Sequence, residues 1–237
     1  MKKTVIRFSP SERWFHNTVM FTFVFLLITG LVMVLHNLLG MRNESREFLS
    51  ISHRLMSVVF IVGPVTAFLL GNKKVWRENF KILTTWGRED TQWVRNIPFK
   101  AIRKGIDLPP EDKFNPGQKI WAGIAITGSV TLVVSGVVIW IFDSAILFIF
   151  IHTLFTVLMA MFLSGHVYMA LINPDTRPGI GSIIDGEVDA DWAMRHHPKW
   201  MERRARERVM EKVSAMEAQE VDASAGGDDE GMGGSAG

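Results

Sequence analysis

At 237 residues, with 48% hydrophobic side chains and a mean hydropathy of +0.17, the chain is too apolar for an ordinary soluble domain and fits a membrane protein with polar extensions. A formal net charge of +2, from 26 basic and 24 acidic residues, gives no reason to expect a nucleic-acid partner. The absence of cysteine excludes thiolate-held iron–sulfur clusters, covalent c-type haem and disulfides within this chain.

Residues 1–15 form a polar lead-in whose Arg7, Arg13 and Trp14 suit a membrane interface. Its start, Met1-Lys2-Lys3, resembles a signal peptide, but the apolar run behind it is longer than such a segment and no small-residue cleavage site follows. An uncleaved first span is therefore expected. Four apolar runs, at about residues 17–39, 55–71, 120–142 and 145–172, approach or exceed the roughly 17–25 residues needed to cross a bilayer. They predict an all-α, four-helix transmembrane bundle over residues 16–172, with Pro64 able to kink the second and shortest span. Between spans two and three, residues 72–116 are polar and carry Trp76, Trp86 and Trp93, a composition that predicts short interfacial helices. Residues 173–218 form a charged, helix-prone arm, and residues 219–237, rich in Ala, Ser, Gly, Asp and Glu, are predicted to be disordered.

Basic residues orient the bundle. The middle segment carries Lys73, Lys74, Arg77, Lys81, Arg88, Arg95, Lys100, Arg103, Lys104 and Lys113, and the arm is similarly basic, whereas the loop after span one has only Arg42 and Arg46 and the turn after span three has none. The positive-inside tendency puts both termini and the middle segment in the cytoplasm.

His152 and His166, fourteen residues apart in the last span, lie on one helical face within roughly 40°, separated by a rise of about 21 Å. Ionisable residues in hydrocarbon mark ligand sites or pathways. His16 opens span one at the depth of His166, and His53 opens span two at the depth of His152, so topology predicts a cytoplasmic pair, His16 with His166, and a periplasmic pair, His53 with His152. His36 competes for the outer pair, but it lies roughly 200° round its helix from His16. Two such pairs suit the axial ligation of two stacked haems b by neutral imidazoles, with the four histidines binding haem iron and no coordination site left for oxygen. The alternative is a packed hydrogen-bonding role for the histidines, or a non-redox transporter or scaffold using them for a transition metal or proton relay.

Asn115-Pro116-Gly117-Gln118-Lys119 opens the third span with an N-cap and a proline at the first helical position. The motif lies at the depth of His166, where the amides of Asn115 and Gln118 can hydrogen-bond a quinone carbonyl.

Phe114-Asn115-Pro116-Gly117-Gln118-Lys119, Ser135-Gly136-Val137-Val138-Ile139-Trp140, the His152/His166 pair with Gly165-His166-Val167-Tyr168-Met169-Ala170, and His196-His197-Pro198-Lys199-Trp200 together resemble the gamma (cytochrome b556) subunit of bacterial membrane-bound formate dehydrogenase, a di-haem cytochrome b. The resemblance covers about residues 7–205 and is densest from 113 onward. It implies haem ligation by His16, His53, His152 and His166, and a quinone site at Asn115, Gly117, Gln118 and His166. It further implies electron entry from a membrane-anchored, periplasmic iron–sulfur beta subunit served by a molybdenum or tungsten alpha subunit. Menaquinone or ubiquinone is then the acceptor, and the complex is open to further oligomerisation. Such a subunit oxidises no formate alone. The same architecture would serve a hydrogenase or a thiosulfate or polysulfide reductase. The flanks of His53, Ser52 and Arg54, depart from the family's apolar context.

Overall fold

The computed structural model describes residues 3–36, 38–102, 106–142 and 145–226. Four helices, α1 (Pro10–Val34), α2 (Asn43–Leu70), α5 (Pro116–Ile141) and α6 (Ile146–Val167), carry the apolar runs; with the π-helical turn Tyr168–Ile172 that continues α6, all four are long and apolar enough to span a membrane. The exposed leucines, valines and phenylalanines along them face what would be lipid. The chain is thus a multi-pass helical membrane protein.

Three of the four spans start earlier than their apolar runs. Helix α1 begins at a capping box in which Ser9 accepts from Glu12 N while the Glu12 carboxylate accepts from Ser9 N, with Pro10 in the first turn. Helix α2 begins at Asn43, so His53 lies inside it and not at its start: the polar residues preceding His53 extend the helix beyond the apolar core. Pro64 sits within α2 without interrupting it.

The helices pair as hairpins, α1 on α2 and α5 on α6. Each hairpin closes on a glycine: Gly63 of α2 leaves room only for Thr18 of α1, and Gly128 of α5 only for Met159 of α6. Close backbone approach through small residues is the usual means of packing helices in lipid, where apolar association gives no net drive.

One end of the bundle carries a polar cap. Helix α3 (Lys73–Thr84) and α4 (Arg88–Ile102) connect the hairpins. After α6 the chain runs through a 3-10 turn at Arg177–Ile180, the short α7 (Gly181–Ile184) and strand β2 (Glu187–Asp189), then α8 (Ala190–His196) and α9 (Pro198–Gly226). Strand β2 pairs antiparallel with β1 (Thr4–Ile6), Val5 opposite Val188. Gly186, at φ +95°, makes the turn into β2, and a side chain there would meet Phe8 O. Helix α9 runs through Gly226, so residues 219–226 are helical where composition predicts disorder. The Gln-, Glu- and Ala-containing run is a sufficient helix former to prolong the helix that precedes it. The rest of that predicted tail, 227–237, lies outside the described residues.

The cap has its own core of Val188, Trp192, Ala193 and Trp200. His197 is buried within it, edge-on to both tryptophans, and its Nδ1 donates to Asp112 O at 2.7 Å. His196 stacks on Trp192, so the adjacent histidines of the arm pack the cap. Burial, reinforced by the Arg7 guanidinium, pushes His197 down to about 3. An unfolded histidine titrates near 6.5, so between those values the unfolded arm takes up a proton that the folded arm excludes, and acidification weakens docking. Tryptophan fluorescence should report loosening of the cap as the pH falls from 7 towards 4, with the spans still helical by circular dichroism.

Candidate functional site

The structure brings four of the seven histidines together in two levels. His16 of α1 faces His166 of α6 with ring centroids 6.3 Å apart; His53 of α2 faces His152 of α6 at 6.5 Å. These are the pairs that depth predicts. His36 turns away, its Nδ1 on the carbonyl of Met33 in the preceding turn at 3.0 Å.

At the outer level, Thr29 Oγ1 lies 2.8 Å from His53 Nδ1, and Ser135 Oγ lies 3.0 Å from His152 Nδ1. Both hydroxyl residues are buried. Each precedes a glycine lying against the same ring: a Cβ on Gly30 would stand 3.5 Å from His53 Cε1, and one on Gly136 3.3 Å from His152 Cε1. Sequence reasoning gave Thr29 and Ser135 no role beside the histidines: a hydroxyl–glycine pair on the helix before His53 and on the helix before His152 does not by itself distinguish a ring contact from ordinary helix packing. Arg54, beside His53, lies over the Trp140 ring and so joins α2 to α5.

At the inner level the surroundings are aromatic. Trp121 stacks on His166 with centroids 5.0 Å apart and planes 14° apart. Trp121 stands one turn beyond Gln118, which couples the ring pair to the start of α5. There Asn115 Oδ1 accepts from Gln118 N at 2.8 Å and Gln118 Oε1 accepts from Asn115 N at 3.0 Å. This capping box occupies both amide oxygens and leaves the NH2 groups as donors. Glu111 nearby receives Trp93 Nε1 at 2.7 Å. Burial raises the Glu111 carboxyl above its ordinary range against the pull of that donor. Gly117 faces Trp93, and a cavity of about 220 Å³ beside it is lined by Trp93, Pro110, Glu111, Phe114, Pro116 and Lys119.

Below the inner level, Glu12, Asn79 and Lys113 form a buried polar knot. Lys113 Nζ donates to Glu12 Oε1 at 2.6 Å and Asn79 Oδ1 at 2.8 Å, while Arg7 Nη2 donates to Lys113 O at 2.8 Å. Arg13 donates to Ile184 O at 2.9 Å, and its buried Nε has no partner among the described residues.

An imidazole nitrogen binds a transition metal at about 2.0–2.1 Å, so two rings sharing one metal through facing nitrogens hold their centroids about 6.3 Å apart. Both pairs stand close to that spacing. No group of three metal-ligating side chains occurs among the described residues, and histidines meeting in twos suit a metal that brings its remaining ligands with it. A side chain at Gly123 or Gly165 would meet nothing within 4 Å, leaving open space beside the inner pair's helices for a flat ring. The residues present therefore fit a metal-bearing macrocycle held between paired histidines.

Four spanning helices with paired, inward-facing imidazoles define a class, the membrane cytochromes of b type. The model of one family, described as prokaryotic cytochrome b561, matches residues 7–186, and the chain belongs to that family. Membership implies haem b as the bound group. Among curated proteins, the chain is similar to the formate dehydrogenase cytochrome b556(fdo) subunit of Escherichia coli strain K12, 27% identical over 209 residues, or 84% of this chain and 92% of the relative. It is also similar to the formate dehydrogenase cytochrome b556 subunit of Haemophilus influenzae, 28% identical over 53% of each chain. The nitrate-inducible formate dehydrogenase cytochrome b556(Fdn) subunit of Escherichia coli strain K12 is 29% identical over 56% of this chain and 61% of that one.

Proposed function

We propose that the chain is the cytochrome b subunit of a respiratory formate dehydrogenase complex, carrying electrons inward from a periplasmic iron–sulfur subunit to a quinone reduced near the cytoplasmic face. The two facing histidine pairs, each with one ring on α6 and at spacings that fit two rings sharing one metal, carry this reading. Two haems b, when bound, supply one-electron carriage through the hydrocarbon layer. The chain's own residues do the rest. His53 and His152 hold the outer group and His16 and His166 the inner one, while the four helices exclude water from both. Asn115, Gly117 and Gln118 form the quinone site with His166. The Gln118 NH2, which donates to no group among the described residues, is the donor for a quinone carbonyl, and Gly117 lets Trp93 pack close beside it. Glu111 lines the cavity on the polar side, where protons for quinone reduction would enter.

The concentration of lysine and arginine in the capped end supports its placement in the cytoplasm, with both termini, in the inner membrane. Inward electron transfer with proton uptake from inside works with or against the membrane potential at about 2.3 kcal/mol per charge per 100 mV. That coupling is what a respiratory complex exploits.

The test is a dithionite-reduced minus oxidised spectrum of the purified complex with a pyridine haemochrome assay, followed by addition of formate to membranes. Two haems b per chain, reduced by formate and reoxidised by quinone, are expected. Reduction by hydrogen or a sulfur compound in place of formate assigns the subunit to another enzyme, and a folded preparation without a Soret band removes the electron-transfer reading altogether.

A further inference from the structure

The outer histidine pair has a device that the inner pair lacks. Thr29 Oγ1 lies 2.9 Å from Phe25 O, and Ser135 Oγ lies 2.7 Å from Thr131 O, each the carbonyl four residues back in its own helix. A hydroxyl has one proton to give, and in each case the backbone carbonyl takes it. The imidazole contact at the same oxygen must therefore run the other way, with His53 Nδ1–H and His152 Nδ1–H donating and the hydroxyls accepting. That leaves the Nε2 lone pair of both rings free, the tautomer a metal ligand requires. Thr29-Gly30 stands to His53 in the first hairpin as Ser135-Gly136 stands to His152 in the second, and both hydroxyl residues are at most 5% exposed.

The inner pair has no equivalent. His16 Nδ1 reaches only the side chain of its neighbour, Asn17, at 3.5 Å, the edge of hydrogen-bond distance. His166 has no hydrogen-bond partner for its ring among the described residues and is stacked by Trp121 instead. An acceptor on the far nitrogen makes an imidazole a stronger donor to its metal and stabilises the oxidised, more positive state. Applied at one level only, the effect lowers the potential there and leaves the other level higher.

We propose that Thr29 and Ser135 are positioning residues that fix the tautomer of His53 and His152 and lower the potential of the outer haem relative to the inner one, giving electrons a downhill step towards the quinone side. This rests on the haem reading above. Thr29→Val and Ser135→Ala remove the acceptor with little change of shape, and Thr29→Ser keeps it. In the purified complex, optical redox titration and low-temperature EPR of the low-spin haems read the result, with His152→Ala identifying the outer signal. The double variant should keep two haems per chain, shift the outer midpoint upward and alter its EPR signal, while the inner haem stays in place and Thr29→Ser matches the wild type. Two haems with both midpoints and both signals unmoved in the double variant overturn the proposal and leave the haem reading standing. A wild-type complex with fewer than two haems per chain overturns both.

Discussion

His152→Ala and His166→Ala should each lower the haem content from two per chain to one, and each should remove a different spectral component. The two rings stand on the same helix, but each faces a different partner, His53 on α2 or His16 on α1. Truncation leaves the partner ring as the sole protein ligand at that level. A side chain that cannot ligate has no compensating contact to offer there, so the loss at the affected level should be nearly complete. The other level, about 21 Å along the helix, should be untouched, and the double variant should hold none. His36→Ala is the control: its ring is bound to its own helix and should leave both haems in place. Pyridine haemochrome against protein concentration measures all four variants. A haem lost on replacing His36, with none lost on replacing His53, would reassign the outer pair.

The second large effect concerns stability. Lys113 and Glu12 form an ion pair at 2.6 Å, their side chains only 9% and 6% exposed, with Asn79 completing the knot. Removing one partner leaves the other charged and buried, which typically costs about 3–5 kcal/mol. Glu12→Ala and Lys113→Met should each lose that much, read as a fall in the unfolding midpoint of the cap in detergent. The double variant Glu12→Gln with Lys113→Met should recover most of the loss, because no uncompensated charge remains. Glu12 lies one turn before His16 on α1, so the single variants should also loosen the inner haem before the outer one. Burial presses the Lys113 ammonium below its ordinary value, against the hold of Glu12.

The spans and the two histidine depths were legible because both follow from periodicity: apolar length sets the crossing, and the 3.6-residue repeat puts His152 and His166 on one face. The capping box at Asn115 was equally local, needing only residues three apart. The helix starts were less so. Polar residues before His53 end the apolar run but not the helix, since a hydropathy pattern marks the membrane boundary and not the hydrogen-bonded ladder. Thr29, Ser135 and the Glu12–Asn79–Lys113 knot were illegible for a different reason. Their roles arise from contacts between helices, and a buried threonine or serine in a span has the same sequence signature whether it hydrogen-bonds its own backbone alone or also holds a ring. Trp121 belongs with them: only the approach of α5 to α6 turns an interfacial tryptophan into a plate against His166.

The pairing of β1 with β2 also sets an order of assembly. Thr4 meets residues 183 positions further along the chain, so during synthesis at about 5–20 residues per second the first strand waits roughly ten seconds or more for its partner. All four spans have emerged by then. A chain arrested after Ile172 has every membrane helix and all four paired histidines, yet Val5 has no strand to lie against, and Arg7 and Phe8 lack the Gly186 carbonyl that receives their amides. The small sheet thus works as a clasp that closes only after the last membrane span has been made.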